Sequence, residues 1–265
     1  MTYENLIYDK QDHVALVTLN RPERLNALSR PLQLEILDVC KEIKNDDDAW
    51  AVIITGAGRG FCSGADISGP RPEGAPQRTQ NQILDEFHWV GDQAMAVYNL
   101  DKPTIAAMNG VCAGAGMSLA LSCDLRVGSE NARFRSVFLE RNLSPDSGMS
   151  WFLTRIVGYS RAMDLILTSR DVGAEEAYRM GLLDRLVPHE KLMEEALALA
   201  GLITQHPPVA VRAAKRVTQQ NLNKNLEDGL RNEAYHLQYG RSATNDAREA
   251  MAARMEKRKP VYTGT

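Results

Sequence analysis

Apolar positions fall into short dense runs separated by longer segments of helical period. Val14-Ala15-Leu16-Val17-Thr18-Leu19 reads as a strand and meets the turn signal Asn20-Arg21-Pro22. A helix follows from about Ser29 and Pro31, with apolar residues at Leu34, Leu37, Cys40 and Ile43. The polar run Asn45-Asp46-Asp47-Asp48 closes it. Ala51-Val52-Ile53-Ile54-Thr55 predicts a strand buried on both faces, which empties into Gly56-Ala57-Gly58-Arg59-Gly60. Strand, helix and strand in this succession form an α/β rhythm. Residues 68–82, with Gly69, Pro70, Pro72, Gly74 and Pro76, predict a mobile loop, and a helix is expected near 83–99. Thr104-Ile105-Ala106-Ala107-Met108 is a further strand. The small-residue stretch Asn109 to Gly116 leads to an apolar helix, Met117 to Ser122, and a strand near Asp124 to Val127. From about residue 147 the pattern is mostly helical, apart from a short strand at Leu182 to Val187 after the helix end Arg179-Met180-Gly181. From His189 onward three or four helices are expected, the last ending at Lys259-Pro260. The expected organisation is an α/β core, residues 1–195, and a helical C-terminal region, residues 196–265.

Composition narrows the partners. The chain has 265 residues, is 44% hydrophobic and 25% charged, and has a formal net charge of -3, which fits a folded domain and excludes a disordered, collagen-like or disulfide-scaffold chain. Near-neutral charge argues against nucleic acid or an acidic membrane surface as partner. No apolar run reaches the ~18 residues of a membrane span, so no membrane insertion is expected. Met1-Thr2-Tyr3-Glu4-Asn5 lacks the features of a signal peptide, and Cys40, Cys62, Cys112 and Cys123 have no C-x-x-C spacing. Both point to a cytoplasmic protein with buried, reduced thiols. His13, His88, His189, His206 and His236 form no ligand pattern, and no metal site is expected.

The candidate chemistry lies in the turns. The glycine-rich loop 56–60 follows a strand, but Phe61 stands where a dinucleotide loop needs its third glycine, and no Walker loop occurs. In Gly60-Phe61-Cys62-Ser63-Gly64-Ala65-Asp66-Ile67, the small residues allow a ligand-facing turn, and Asp66 could cap a helix. Asn109-Gly110-Val111-Cys112-Ala113-Gly114-Ala115-Gly116 is a second small-residue turn between a strand and a helix. Two such turns could aim two backbone N–H groups at one point, as an oxyanion hole requires. Gly116-Met117-Ser118-Leu119-Ala120 is similar to a nucleophile elbow, but no strand ends directly before it, which disfavours a serine hydrolase. In Asn142-Leu143-Ser144-Pro145-Asp146-Ser147-Gly148, either Asp146 or Ser147 caps the following helix, or Asp146 serves as a base or nucleophile.

In sequence order these segments resemble the enoyl-CoA hydratase/isomerase (crotonase) superfamily. The resemblance rests on Asn20-Arg21-Pro22-Glu23-Arg24-Leu25-Asn26-Ala27-Leu28, Phe61 to Ile67, Lys102 to Gly110, Cys123-Asp124, Arg155-Ile156-Val157-Gly158, Ala177 to Leu182 and Glu256-Lys257-Arg258-Lys259. It implies a spiral of ββα units with a C-terminal helical trimerisation region, and a homotrimer or a dimer of trimers. It also implies an acyl-CoA thioester substrate and no separate cofactor, CoA being part of the substrate. The thioester oxygen would be held by the N–H groups of Ala65 and Ala115. Arg24, Ala27, Ala65, Asp66, Ile67 and Lys257 would meet CoA, and the loop 68–82 with Phe87 and Trp89 would line the acyl pocket. Family hydratases use two glutamates, and at the matching positions this chain has Ser118 and Phe138. Isomerase and dehalogenase branches place an aspartate where Asp146 stands, and Glu140 is a second candidate carboxylate. The expected reaction is double-bond isomerisation with Asp146 as acid/base. Hydration through a non-standard carboxylate and acyl-CoA binding without catalysis are the alternatives.

Overall fold

The computed structural model describes residues 3–68 and 79–265, and at Gln82 the backbone alone. The chain begins with β1 (Leu6–Gln11), β2 (Val14–Leu19), α1 (Arg30–Asn45), β3 (Ala51–Gly56) and β4 (Gly60–Cys62). After α2 (Gln80–Leu84) and α3 (His88–Tyr98) come β5 (Thr104–Met108), β6 (Val111–Ala113), α4 (Ala115–Leu121), β7 (Leu125–Ser129) and β8 (Arg133–Arg135). There follow α5 (Met149–Val157), α6 (Tyr159–Thr168), β9 (Val172–Gly173), α7 (Ala174–Arg179) and β10 (Arg185–Val187). The chain closes with α8 (Leu192–Thr204), α9 (Pro208–Asn221), α10 (Leu226–Ser242) and α11 (Thr244–Glu256).

The larger sheet has the order β1-β2-β3-β5-β7-β10, parallel except for the β1–β2 pair. Every residue of β3 and β5 is buried, because parallel strands are covered on both faces. Ile53, Ile105 and Val127 form one face with Leu192, Ala196, Leu199 and Ala200 of α8. Val52, Ile54, Ala106 and Met108 face the opposite way, into the main core. The smaller sheet runs β4-β6-β8-β9. β3, β5 and β7 each pass directly into a strand of the smaller sheet, so the molecule is a spiral of ββα units. β4, β6 and β8 are parallel neighbours, and the segments leaving them therefore emerge together at one end of that sheet. This topology is what assembles the site.

Several expectations change. β1 and the short strands β4, β6, β8 and β9 were not foreseen. Ser29 does cap α1, accepting the Leu32 N–H at 3.4 Å, but the buried face is Leu32, Ile36, Val39, Cys40 and Ile43, and Leu34 is exposed. The helix expected near 83–99 is broken where Asp85 Oδ1 accepts the Phe87 and His88 N–H groups, which restarts the chain as α3. The mobile loop expected at 68–82 lies, from 69 to 78, outside the described residues. The division at 195/196 falls inside α8, whose inner face packs on the larger sheet, so the sheet-bound part of the chain reaches residue 204. The final helix ends at Glu256, where Lys257 turns left-handed (φ 56°). All four cysteines are buried free thiols, and burial pushes Cys40, Cys62 and Cys123 up to about 12. Lys102 is fully buried and its Nζ donates to the Ile43 and Lys44 carbonyls, 2.7 Å each, closing the C-terminal end of α1. No described helix is long and apolar enough to cross a membrane.

Candidate active site

The first turn leaves β4 as Ser63-Gly64-Ala65 and is strapped by residues 25–28. Ser63 N–H donates to Leu25 O (3.0 Å), Leu28 N–H to Gly64 O (2.8 Å) and Asp66 N–H to Leu28 O (3.1 Å). The Ala65 N–H takes no part in this strapping. The second turn leaves β6 through Gly114, whose N–H donates to Arg135 O (3.0 Å), and enters α4 at Ala115. The helix thus starts two residues before the expected Met117. As its first residue, Ala115 carries an N–H that no carbonyl of the helix can accept.

The two turns are pressed together. A Cβ on Gly64 would lie 2.9 Å from Ala113 O and 3.6 Å from Ala115 N, and one on Gly116 would lie 2.3 Å from Cys62 O. Only hydrogen fits at either position. Two buried amides hold the loop behind these turns. Asn26 Nδ2 donates to Ala57 O and Gly60 O, and Asn109 Nδ2 donates to Gly56 O, Gly58 O and Gly60 O, all within 2.8–3.2 Å. The glycine-rich loop therefore spends its carbonyls inside the protein. Arg21 completes the bracket: Nη1 donates to Ala27 O (2.6 Å) and pairs with Asp66 Oδ2 (2.8 Å).

Asp66 does not cap a helix. Its Oδ1 accepts the Ser68 hydroxyl and N–H (2.6 and 3.0 Å), and these bonds, with Arg21, hold its carboxyl down to about 2. Asp146 and Ser147 do not cap α5 either. The cap position belongs to Gly148 (φ 80°), with no side-chain hydrogen bond. Ser147 is itself left-handed (φ 52°) and donates its hydroxyl to Asp146 Oδ1 at 2.9 Å. The Asp146 carboxyl is half-buried, and desolvation raises its pKa while the Ser147 bond opposes the rise. Among the described residues no cation pairs with it. Its main-chain carbonyl accepts the buried Ser118 hydroxyl at 3.2 Å, which ties Asp146 to the helix that begins at Ala115.

Residues 9–265 match the family model described as enoyl-CoA hydratase/isomerase. The chain belongs to the enoyl-CoA hydratase/isomerase family. A probable enoyl-CoA hydratase of Mycobacterium bovis is 38% identical over 263 residues, covering 99% of both chains. A solved probable enoyl-CoA hydratase/isomerase from Mycobacterium abscessus superposes with a TM-score of 0.88 at 37% identity, over 99% of this chain and 100% of that one. A monofunctional enoyl CoA isomerase from M. smegmatis superposes at 0.73 with 34% identity, over 85% and 98%. The family's spiral of ββα units is the fold described above.

Within this family member, Phe138 is buried in the main core, directly after the left-handed Val137 (φ 53°), whose Cγ2 would lie 2.9 Å from a Cβ on Gly114. The segment leaving β8 thus lies against the second turn. Glu140 stands apart: it is exposed in a 3-10 turn, pairs with Arg135 at 2.9 Å, and shares no hydrogen bond with either turn or with Asp146. Arg24 and Lys257 are exposed and form no ion pair among the described residues, Ile67 is exposed, and Ala27 is buried. Phe87 is exposed and Trp89 is half-buried. Two cavities of about 420 and 520 Å³ lie along α9 and include no residue of the two turns. Sequence reasoning missed Arg21, Asn26, Asn109 and Ser147. The first three were visible only as motif letters, and the role of Ser147 depends on its left-handed backbone.

Proposed function

We propose that this protein isomerises the double bond of an enoyl-CoA thioester, with Asp146 as acid/base and the Ala65 and Ala115 N–H groups as the oxyanion hole. The observation that carries the reading is Asp146: half-buried, without a cation among the described residues, and bonded through its main chain to the helix that starts at Ala115. A carboxyl made more basic by burial suits reversible proton transfer at carbon near neutral pH. On a β,γ-enoyl thioester, the Asp146 carboxylate takes a proton from the α-carbon. The electron pair moves to the thioester oxygen as a dienolate held by the two N–H donors. Asp146 then returns the same proton to the γ-carbon, giving the conjugated α,β-enoyl thioester with no net change in protons or water. Each N–H donor is worth about 10²–10³-fold in rate in such sites. Phe138 supports isomerisation over hydration, because a buried phenyl cannot hold a water for attack.

In this reading Arg24, Ala27 and the main chain of residues 65–67 meet CoA, with Lys257 supplying a cation for a phosphate. The exposed apolar residues of the last helices, among them Leu230, Tyr235, Leu237 and Met251, support a homotrimer or a dimer of trimers. The test is conversion of β,γ-enoyl-CoA to its conjugated isomer, followed by the rise in enoyl-thioester absorbance. Asp146→Asn is expected to abolish it, and full activity in that variant would refute the assignment. A second reading, hydration with Asp146 as the lone carboxylate, is favoured by the name of the 38% identical relative. It predicts β-hydroxyacyl-CoA as product from the conjugated substrate.

A further inference from the structure

Two side-chain hydroxyls hold Asp146, one at its main-chain carbonyl, which also accepts the Met149 N–H at 2.9 Å, and one at its carboxylate, and both are almost fully buried. Ser118 and Ser147 are 1% and 3% exposed. Ser118 lies three residues into α4 from Ala115, hence on the same helix face. Its N–H already donates to Gly114 O (3.0 Å), the carbonyl that a helical serine hydroxyl ordinarily takes. The hydroxyl lies 3.4 Å from that oxygen and 3.2 Å from Asp146 O, across 28 residues of sequence. At the carboxylate, Ser147 adopts a left-handed backbone (φ 52°) that is strained for a non-glycine residue. That conformation accompanies a 2.9 Å bond from its hydroxyl to the carboxylate. Such local strain collects where a side chain must be aimed. Among the described residues no charged group pairs with the carboxylate: α4 has no titratable side chain, and the one charge on α5, Arg155, stacks 3.9 Å over the Trp151 ring. In the preceding 3-10 turn, Glu140 pairs with Arg135, and Arg141 forms no ion pair among the described residues.

We propose that Ser118 and Ser147 are positioning residues for Asp146, Ser118 fixing its turn against the oxyanion turn through the main chain and Ser147 aiming the carboxylate. This rests on the acid/base reading of Asp146. The experiment uses the full chain, a β,γ-enoyl-CoA substrate, steady-state kinetics across pH, and thermal melts of each variant. Ser118→Ala is expected to lower kcat about 10- to 100-fold, with KM changed less than about threefold, because misplacement by about 1 Å has that scale. Ser147→Ala is expected to move the acid limb of kcat/KM upward by about one pH unit, since the ionised carboxylate loses its donor. Ser147→Gly, which removes the backbone strain, should show the same shift and secures a folded variant. If Ser118→Ala does not fold, Ser118→Cys, a near-isostere with a weak donor, should show the same loss in kcat. A merely structural role would lower the melting temperature and leave the pH limb in place. Wild-type kcat and an unmoved limb in the serine variants, with Asp146→Asn inactive, would overturn the positioning role alone. An active Asp146→Asn would overturn the acid/base reading and this inference with it.

Discussion

Gly64→Ala tests whether the apposition of the two turns is what holds the proposed oxyanion donors. The new Cβ would start 2.9 Å from Ala113 O, against about 3.4 Å for ordinary contact, so one turn must yield by about 0.5 Å. The obstacle is main chain and cannot swing away. The backbone at φ 98° adds about 1–3 kcal/mol of strain for any residue with a Cβ. For a chain of this size, about 2–4 °C of melting temperature is lost per kcal/mol, so a fall of about 2–12 °C is expected. Deleting a whole oxyanion donor costs about 10²–10³ in kcat, and displacing Ala115 N–H by half an ångström should cost about 10- to 100-fold. Steady-state isomerisation kinetics and a melting curve measure both. Gly181→Ala is the control: its φ is 83°, but nothing lies within 4 Å of the added carbon, so it carries the strain without the collision. It should melt lower at unchanged kcat. A folded Gly64→Ala enzyme with kcat within threefold of wild type would refute the reasoning.

Asp146→Asn should stabilise the fold while abolishing activity. Burial raises the folded pKa of Asp146, so the ionised form weakens the native state once pH exceeds the unfolded value near 3.8, fully so above the folded value. The stability difference should therefore vanish below about pH 3.8 and favour Asn at neutral pH in denaturant titrations. Asp66→Asn should do the reverse. With its carboxyl held to about 2, Asp66 contributes stability above pH 3.8 that fades as pH falls toward 2, and the variant should lack that component of acid sensitivity. Lys102→Met removes both bonds to the Ile43 and Lys44 carbonyls and should cost about 2–4 kcal/mol in urea unfolding, despite relieving a buried charge. A variant as stable as wild type would show that the capping bonds contribute nothing net.

What the sequence made legible follows from what local pattern can encode. β2, β3 and β5 stand out because four consecutive apolar residues, Val14–Val17, Ala51–Ile54 and Ile105–Met108, have few other uses. The three-residue strands β4, β6 and β8 are too short to show any period, and Gly60, Arg133 and Arg135 lack strand propensity. They exist because the larger sheet delivers their chains side by side. The two small-residue turns were visible as turns, but their contact comes from the Gly60↔Val111 and Cys62↔Cys112 pairing, which no local window contains. Asp146 followed by Ser147 looked like a helix start because those residue types cap helices. Two left-handed residues in succession, Ser147 and Gly148, carry the chain into α5 by another path and free the carboxyl. The Ser118 bond to Asp146 joins residues 28 apart and could not have been read from spacing.

Asn109 carries a consequence for how long the enzyme lasts. Its Nδ2 serves three carbonyls of the loop at 56–60 while its Oδ1 is buried with no partner among the described residues, and it is followed by Gly110, the neighbour that most readily permits asparagine to cyclise and hydrolyse. Conversion to aspartate would replace the shared donor with a negative charge facing three oxygens. In the folded protein the pinned amide cannot turn toward the Gly110 nitrogen. Chemical ageing at this position is thus gated by unfolding, and damage there would fall on the loop behind the turn at Ser63–Ala65. The folded state preserves its own covalent structure at the point where the packing of the two turns can least spare it.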